Sequence, residues 1–226
     1  MQSLKKALSL IGGLALCGLA SYTVIQANIG LAPWDALNMG TSILTGKSFG
    51  DMSVAIGLVI LILDVMLGEK IGIGTILNTV LIGKFVDLFA ALNLVPAAKN
   101  FGMGLLLLLA GQLLMSVGMF FYMRTGMGSG PRDSLMVAAC KRFPNTPVGL
   151  LRGGIEGLAL LSGWLMGAKV GLGTVAYMLG IGFMMQMVCS VTHFDPKAVK
   201  HENAMETLRR WKMELLEKQT VKNENN

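Results

Sequence analysis

The sequence predicts an all-α membrane protein: a bundle of about six transmembrane helices and two short non-spanning ones, built from two tandem copies of one unit. Three observations predict it. First, 53% of the 226 residues are hydrophobic and only 14% charged, with a mean hydropathy of +0.62, which suits lipid better than an aqueous surface. Second, long apolar runs recur. Residues 103–123 hold nothing more polar than Gln112 and Ser116, and about 20 apolar residues cross a bilayer core. Third, Gly30-Leu-Ala-Pro33-Trp-Asp35-Ala-Leu37 recurs 98 residues on as Gly128-Ser-Gly-Pro131-Arg-Asp133-Ser-Leu135, and Gly68-Glu-Lys70-Ile-Gly72-Ile-Gly74-Thr75 recurs 99 residues on as Gly167-Ala-Lys169-Val-Gly171-Leu-Gly173-Thr174. Two motifs in one order at nearly one offset mark a duplication.

The first copy opens with a helix over 8–26. Lys5 and Lys6 before an apolar run resemble a signal peptide, but the segment has an internal counterpart at 111–124, so it is expected to be a retained span. The next helix, 33–44, starts with Pro33 at its first position and Asp35 in its first turn, both features of helix starts. Its 12 residues make roughly 18 Å of helix, too short for a core about 30 Å thick. Helices over 52–67 and 75–92 follow, the second entered through Gly72-x-Gly74-Thr75. A tight turn with threonine near the N-cap explains that motif better than a phosphate cradle. The second copy repeats the plan over 103–123, 131–142, 148–166 and 174–191. The organisation is thus membrane repeat 1 (1–99), membrane repeat 2 (100–194) and a tail (195–226). The tail carries Met205, Leu208, Trp211 and Leu215 on one helical face among basic residues, which fits a membrane surface or a solvated helix equally.

If the short helices do not cross, each copy has three spans and the copies face opposite ways in the membrane. With a cytoplasmic N-terminus, inside loops carry Lys70, Arg124, Arg132, Lys141 and Arg142, and outside loops Lys47, Lys99 and Lys169. Five against three follows the positive-inside rule; an eight-span arrangement gives four against four and no bias. Six spans with both termini cytoplasmic are therefore expected.

Candidate site residues are the ionisable groups that membrane depth makes costly. Asp35 and Asp133 are either stabilisers of exposed helix ends or ion and proton ligands at a central cavity, where Arg132 could attract an anion. Lys84 and Asp87 fall well inside the 75–92 span, spaced to pair with each other or to face a hydrated path. Gln186 corresponds to Asp87 in the second copy. Asp64 is expected to snorkel, and Arg152 and Glu156 to form an i, i+4 pair. Gly153-xxx-Gly157 and Gly163-xxx-Gly167 read as packing faces, which alone do not prove a homo-oligomer.

Several classes are disfavoured. The net charge of +6 is spread over loops and tail, not gathered as a nucleic-acid face. Cys17, Cys140 and Cys189 have no paired spacing, and His193 and His201 no nearby cysteine, so neither a metal nor another cofactor is expected. Without HExxH, GxSxG or a Ser–His pairing, the chain is not expected to be an enzyme.

At Gly30-Leu-Ala-Pro-Trp-Asp35, Gly130-Pro-Arg-Asp133-Ser-Leu-Met136 and the paired GxGT turns, the chain resembles the bacterial YczE/YyaS/YitT-type membrane proteins. The family usually has glycine where Ser134 stands here. The resemblance implies the bacterial cytoplasmic membrane and supplies no substrate. The expected function is a small-solute transporter or channel, with the bilayer and an unknown solute or ion as partners. A non-transporting scaffold or regulator of another protein is the alternative.

Overall fold

The computed structural model of the chain describes residues 2–195, 198–199 and 204–207. Eight helices follow in order: α1 (Gln2–Ala27), α2 (Pro33–Thr45), α3 (Phe49–Met66), α4 (Ile73–Ala91), α5 (Phe101–Met123), α6 (Pro131–Arg142), α7 (Val148–Leu165) and α8 (Leu172–Thr192). Only α1, which takes in Lys5 and Lys6, departs from the expected bounds by more than three residues. Two early starts have a local cause. The Ser48 hydroxyl accepts the Asp51 N–H at 3.0 Å, and the Asn100 side chain accepts the Met103 N–H at 2.8 Å, so each polar side chain caps its helix a turn ahead of the apolar run. Residues 204–207 add a helical turn whose Ala204 N–H donates to the Ile71 carbonyl. Met205 there is exposed; the rest of the expected tail face, Leu208, Trp211 and Leu215, lies outside the described residues.

Six helices, α1, α3, α4, α5, α7 and α8, are long and apolar enough to cross a membrane. The short α2 and α6, with 13 and 12 residues, are not. Outward apolar side chains such as Leu106, Leu158, Leu179 and Phe183 are exposed, as a lipid-facing surface requires.

At the centre α1 and α5 run antiparallel in close contact. Added Cβ atoms at Gly13 and Gly118 would lie 2.7 Å from the Tyr122 nitrogen and 2.8 Å from the Gly13 carbonyl oxygen. Small residues let these backbones meet. Gly13→Leu should therefore lower stability by about 1–3 kcal/mol or more. Gly12→Leu, which points into open space, should leave the thermal midpoint in detergent unchanged.

The flanking helices follow one plan in both halves: α4 packs on α1, and α8 on α5. The short helices cross over, α2 lying on α7 and α6 on α3. Gly163 permits the first crossing by pressing against the Ala36 backbone. Its counterpart in α3 is Asp64, and here the expectation of snorkelling fails. The Asp64 side chain is fully buried, and its carboxylate has no hydrogen-bond partner among the described residues. The expected Gly153–Gly157 packing face also meets nothing within 4 Å among the described residues.

The two duplicated motifs turn out to be partners of each other. The Gly173 N–H donates to the Ile29 carbonyl at 3.0 Å, and the Gly74 N–H to the Met127 carbonyl at 2.8 Å. The loop before each short helix thus seats on the GxGT turn of the other copy. Gly30 at φ +136° sits against Thr174, and Gly128 at φ +129° against Thr75, a backbone conformation that glycine alone adopts readily. The Thr75 hydroxyl accepts the Gly72 N–H at 3.3 Å and donates to the Ser129 carbonyl at 2.6 Å. Capping and docking account for the motif without a phosphate.

The halves differ in one respect. α3 and α4 pack along their length, whereas α7 and α8 make almost no contact.

Candidate functional site: a cavity between the two copies

A cavity of about 230 Å³ lies at the centre, lined by residues of both halves. Its walls come in pairs separated by 98 or 99 residues: Ser21 and Met119, Pro33 and Pro131, Trp34 and Arg132, Asp35 and Asp133, Ser53 and Arg152, Gly57 and Glu156, Asn78 and Tyr177. Equivalent positions of the duplicated unit therefore surround one space.

The starts of α2 and α6 both open onto it. Neither has a side-chain cap, since Ala32 and Gly130 occupy the N-cap positions. Each helix start therefore brings unfilled backbone donors and a positive dipole end to the cavity. Asp35, in the first turn of α2, is 5% exposed. It hydrogen-bonds with Ser21 of α1 and lies within electrostatic reach of Arg132. A buried carboxylate needs such company, because an unpaired charge away from water costs several kcal/mol.

Arg132, in the first turn of α6, places its guanidinium carbon 5.1 Å from the Trp34 ring centroid. The aligned positions 34 and 132 thus stack on each other across the cavity. Besides Asp35, Arg132 has Asp133, Glu156 and Tyr177 within electrostatic reach. Asp133 Oδ2 and the Tyr122 hydroxyl converge beside Gly130, with Asn78 Nδ2 next to them: an added Cβ on Gly130 would lie 3.4, 3.4 and 3.7 Å from the three atoms. The Tyr122 hydroxyl is buried beside the Gly130 backbone. Arg152 and Glu156 pair at 2.8 Å, as their spacing predicts, and both line the cavity.

Asp35, Arg132 and Asp133 are thus brought together, whereas Lys84, Asp87 and Gln186 are not among the lining residues. Lys84 pairs with Asp51 at 2.6 Å rather than with Asp87. Asp87 accepts the Ser48 hydroxyl at 2.6 Å and the Gly50 N–H at 2.9 Å. Both clasp the first turn of α3 to α4. Gln186 is exposed on α8. Sequence reasoning missed Arg152, Glu156, Tyr177, Tyr122 and Asn78 as wall residues. For four of them the signal was present, since extending the repeat register by 99 pairs Ser53 with Arg152, Gly57 with Glu156 and Asn78 with Tyr177.

Such a bundle, with six apolar helices around a polar interior, defines a multi-pass, all-helical membrane protein. The chain belongs to a family of unknown function, DUF6198, whose model matches residues 4–190. It is 31% identical over 182 residues to an uncharacterised protein of Haemophilus influenzae, covering 80% of this chain and 82% of the relative. It is 30% identical over 167 residues to YczE, an uncharacterised membrane protein of Bacillus subtilis, covering 74% of this chain and 76% of the relative. No solved structure matches the chain.

Proposed function

We propose that the protein passes a small solute across the bacterial cytoplasmic membrane through the cavity between its two copies. One observation carries this: the uncapped starts of α2 and α6, with Asp35, Arg132 and Asp133, converge on one space walled by equivalent residues of both halves. Discontinuous helices whose N-termini meet at the interface of inverted repeats are how many transporters hold substrate or coupling ion. The antiparallel α1–α5 pair and the reciprocal seating of loops on GxGT turns support the inverted relation, which gives the site equivalent routes to either side. A charged interior is tolerated at membrane depth when it faces water or a ligand.

In this arrangement both termini are cytoplasmic. Cysteines replacing Lys47 and Lys99 should react with an impermeant thiol reagent from outside only, and one replacing Lys141 from inside only. Outside labelling at position 141 would contradict the topology. Purified protein in sealed vesicles, challenged with a panel of ions, amino acids and small metabolites, should show solute-dependent flux or proton movement. Neither flux nor ligand-dependent stabilisation across such a panel, with one stoichiometric partner co-purifying, would favour the scaffold alternative.

A further inference from the structure

The two halves hold the same glycines in different states. In the first half Gly50 of α3 presses on the Gly83 carbonyl of α4, and Asp87 accepts the Gly50 N–H at the start of α3. The equivalent residues, 99 positions on, are Gly149 of α7, Gly182 of α8 and Gln186. An added Cβ on Gly149 or on Gly182 would meet nothing within 4 Å among the described residues. Gln186 is exposed, and α7 leans on α2 and α6 while barely touching α8. Glycine has no side chain to fill open space and costs about 0.5–1 kcal/mol relative to alanine inside a helix. Close approach to another backbone is what gives it a use, and α3 against α4 displays that use.

We propose that α7 is a moving wall of the cavity. In a second state it closes on α8, Gly149 against Gly182, with Gln186 taking the start of α7 as Asp87 takes the start of α3. The state described here then has the α3–α4 side shut and the α7–α8 side open. Lys84–Asp51 and Asp87–Ser48 are the clasp of the shut side. Closure brings α7 in at its first turns, because only there does it repeat the fit of α3. Further along, Glu156 stands where Gly57 lets α3 reach Thr79. In that second state it would meet Met178, the equivalent of Thr79 and a pliable side chain, and keep the cavity itself from collapsing. Two sides that shut in turn would give the cavity alternating access, so the inference deepens the transport proposal and rests on it for its purpose, though not for its test.

The test is disulfide trapping in native membranes, with Cys140 and Cys189 replaced by alanine. Ser48→Cys/Asp87→Cys should link readily, since those side chains touch. Pro147→Cys/Gln186→Cys, its equivalent on the open side, should also link within one chain under mild oxidation, seen as a disulfide-bonded peptide pair by mass spectrometry. Linking of the first pair with none of the second would overturn the proposal. A second variant, Gly149→Leu, fits the open state and should keep the thermal midpoint. It should nevertheless prevent most of the 147–186 cross-link by blocking closure; undiminished cross-linking there would also overturn the proposal. A positive cross-link without solute flux would leave the moving wall standing and remove the transport reading, and flux without the cross-link would do the reverse.

Discussion

Asp35→Asn is expected to lower solute flux roughly ten- to a hundred-fold while leaving the melting temperature nearly unchanged. Asparagine matches aspartate in shape and caps a helix about as well, so a carboxylate that only steadied the start of α2 could be replaced at little cost. In the cavity the consequence differs. Asp35 is buried, hydrogen-bonded with Ser21 and within electrostatic reach of Arg132. Removing its charge removes a counter-charge of that guanidinium and any hold on a cationic group or proton. Hydrogen bonds to charged groups are worth about 1.5–3 kcal/mol, so a loss of roughly ten- to a hundred-fold in rate is expected. Vesicle flux and thermal melting of the same preparation decide it: unchanged flux would return Asp35 to a helix-end role.

Arg132→Lys should be nearly as damaging as Arg132→Gln, although it keeps the charge. The guanidinium lies 5.1 Å from the Trp34 ring centroid, with Asp35, Asp133 and Glu156 around it. A flat, delocalised cation can stack on the ring and still offer its edge to more than one carboxylate, whereas an ammonium is a point charge on a flexible stem. The lysine variant should therefore keep the fold and lose most of the flux. The glutamine variant should in addition lower the melting temperature, since three carboxylates would share the cavity with Arg152 as its sole remaining lining cation among the described residues. Wild-type flux in the lysine variant would show that charge alone is used there.

The architecture was legible because lipid imposes strong rules on a sequence. Apolar runs of span length, two proline-started segments too short to cross, and a repeat at nearly one offset yield eight helices close to their observed bounds. The site was half legible. Asp35, Arg132 and Asp133 were found because the motif that starts each short helix also carries the charge. Lys84 and Asp87 lie away from the cavity walls: their distance along α4 suggests membrane depth, and no periodicity reveals that the start of α3 lies beside them. Asp64 departs from its expectation for a like reason: its burial is set by tertiary packing that no periodicity reveals. The unequal closure of α3–α4 and α7–α8 is only partly visible in the sequence: both pairs hold glycine at the closest approach, while Leu150 and Phe183 stand where Asp51 and Lys84 pair.

If solute passes as proposed, the space between the two copies is hydrated and can be reached from both sides of the membrane. Ser53→Cys tests it most directly, because position 53 lines the cavity without belonging to the Asp35–Arg132–Asp133 cluster. In sealed, oriented vesicles a small impermeant thiol reagent should label Cys introduced at 53 from either face, while cysteines at positions 47 and 141 are labelled from one face each. Labelling at 53 from one face only, or from neither, would contradict the account.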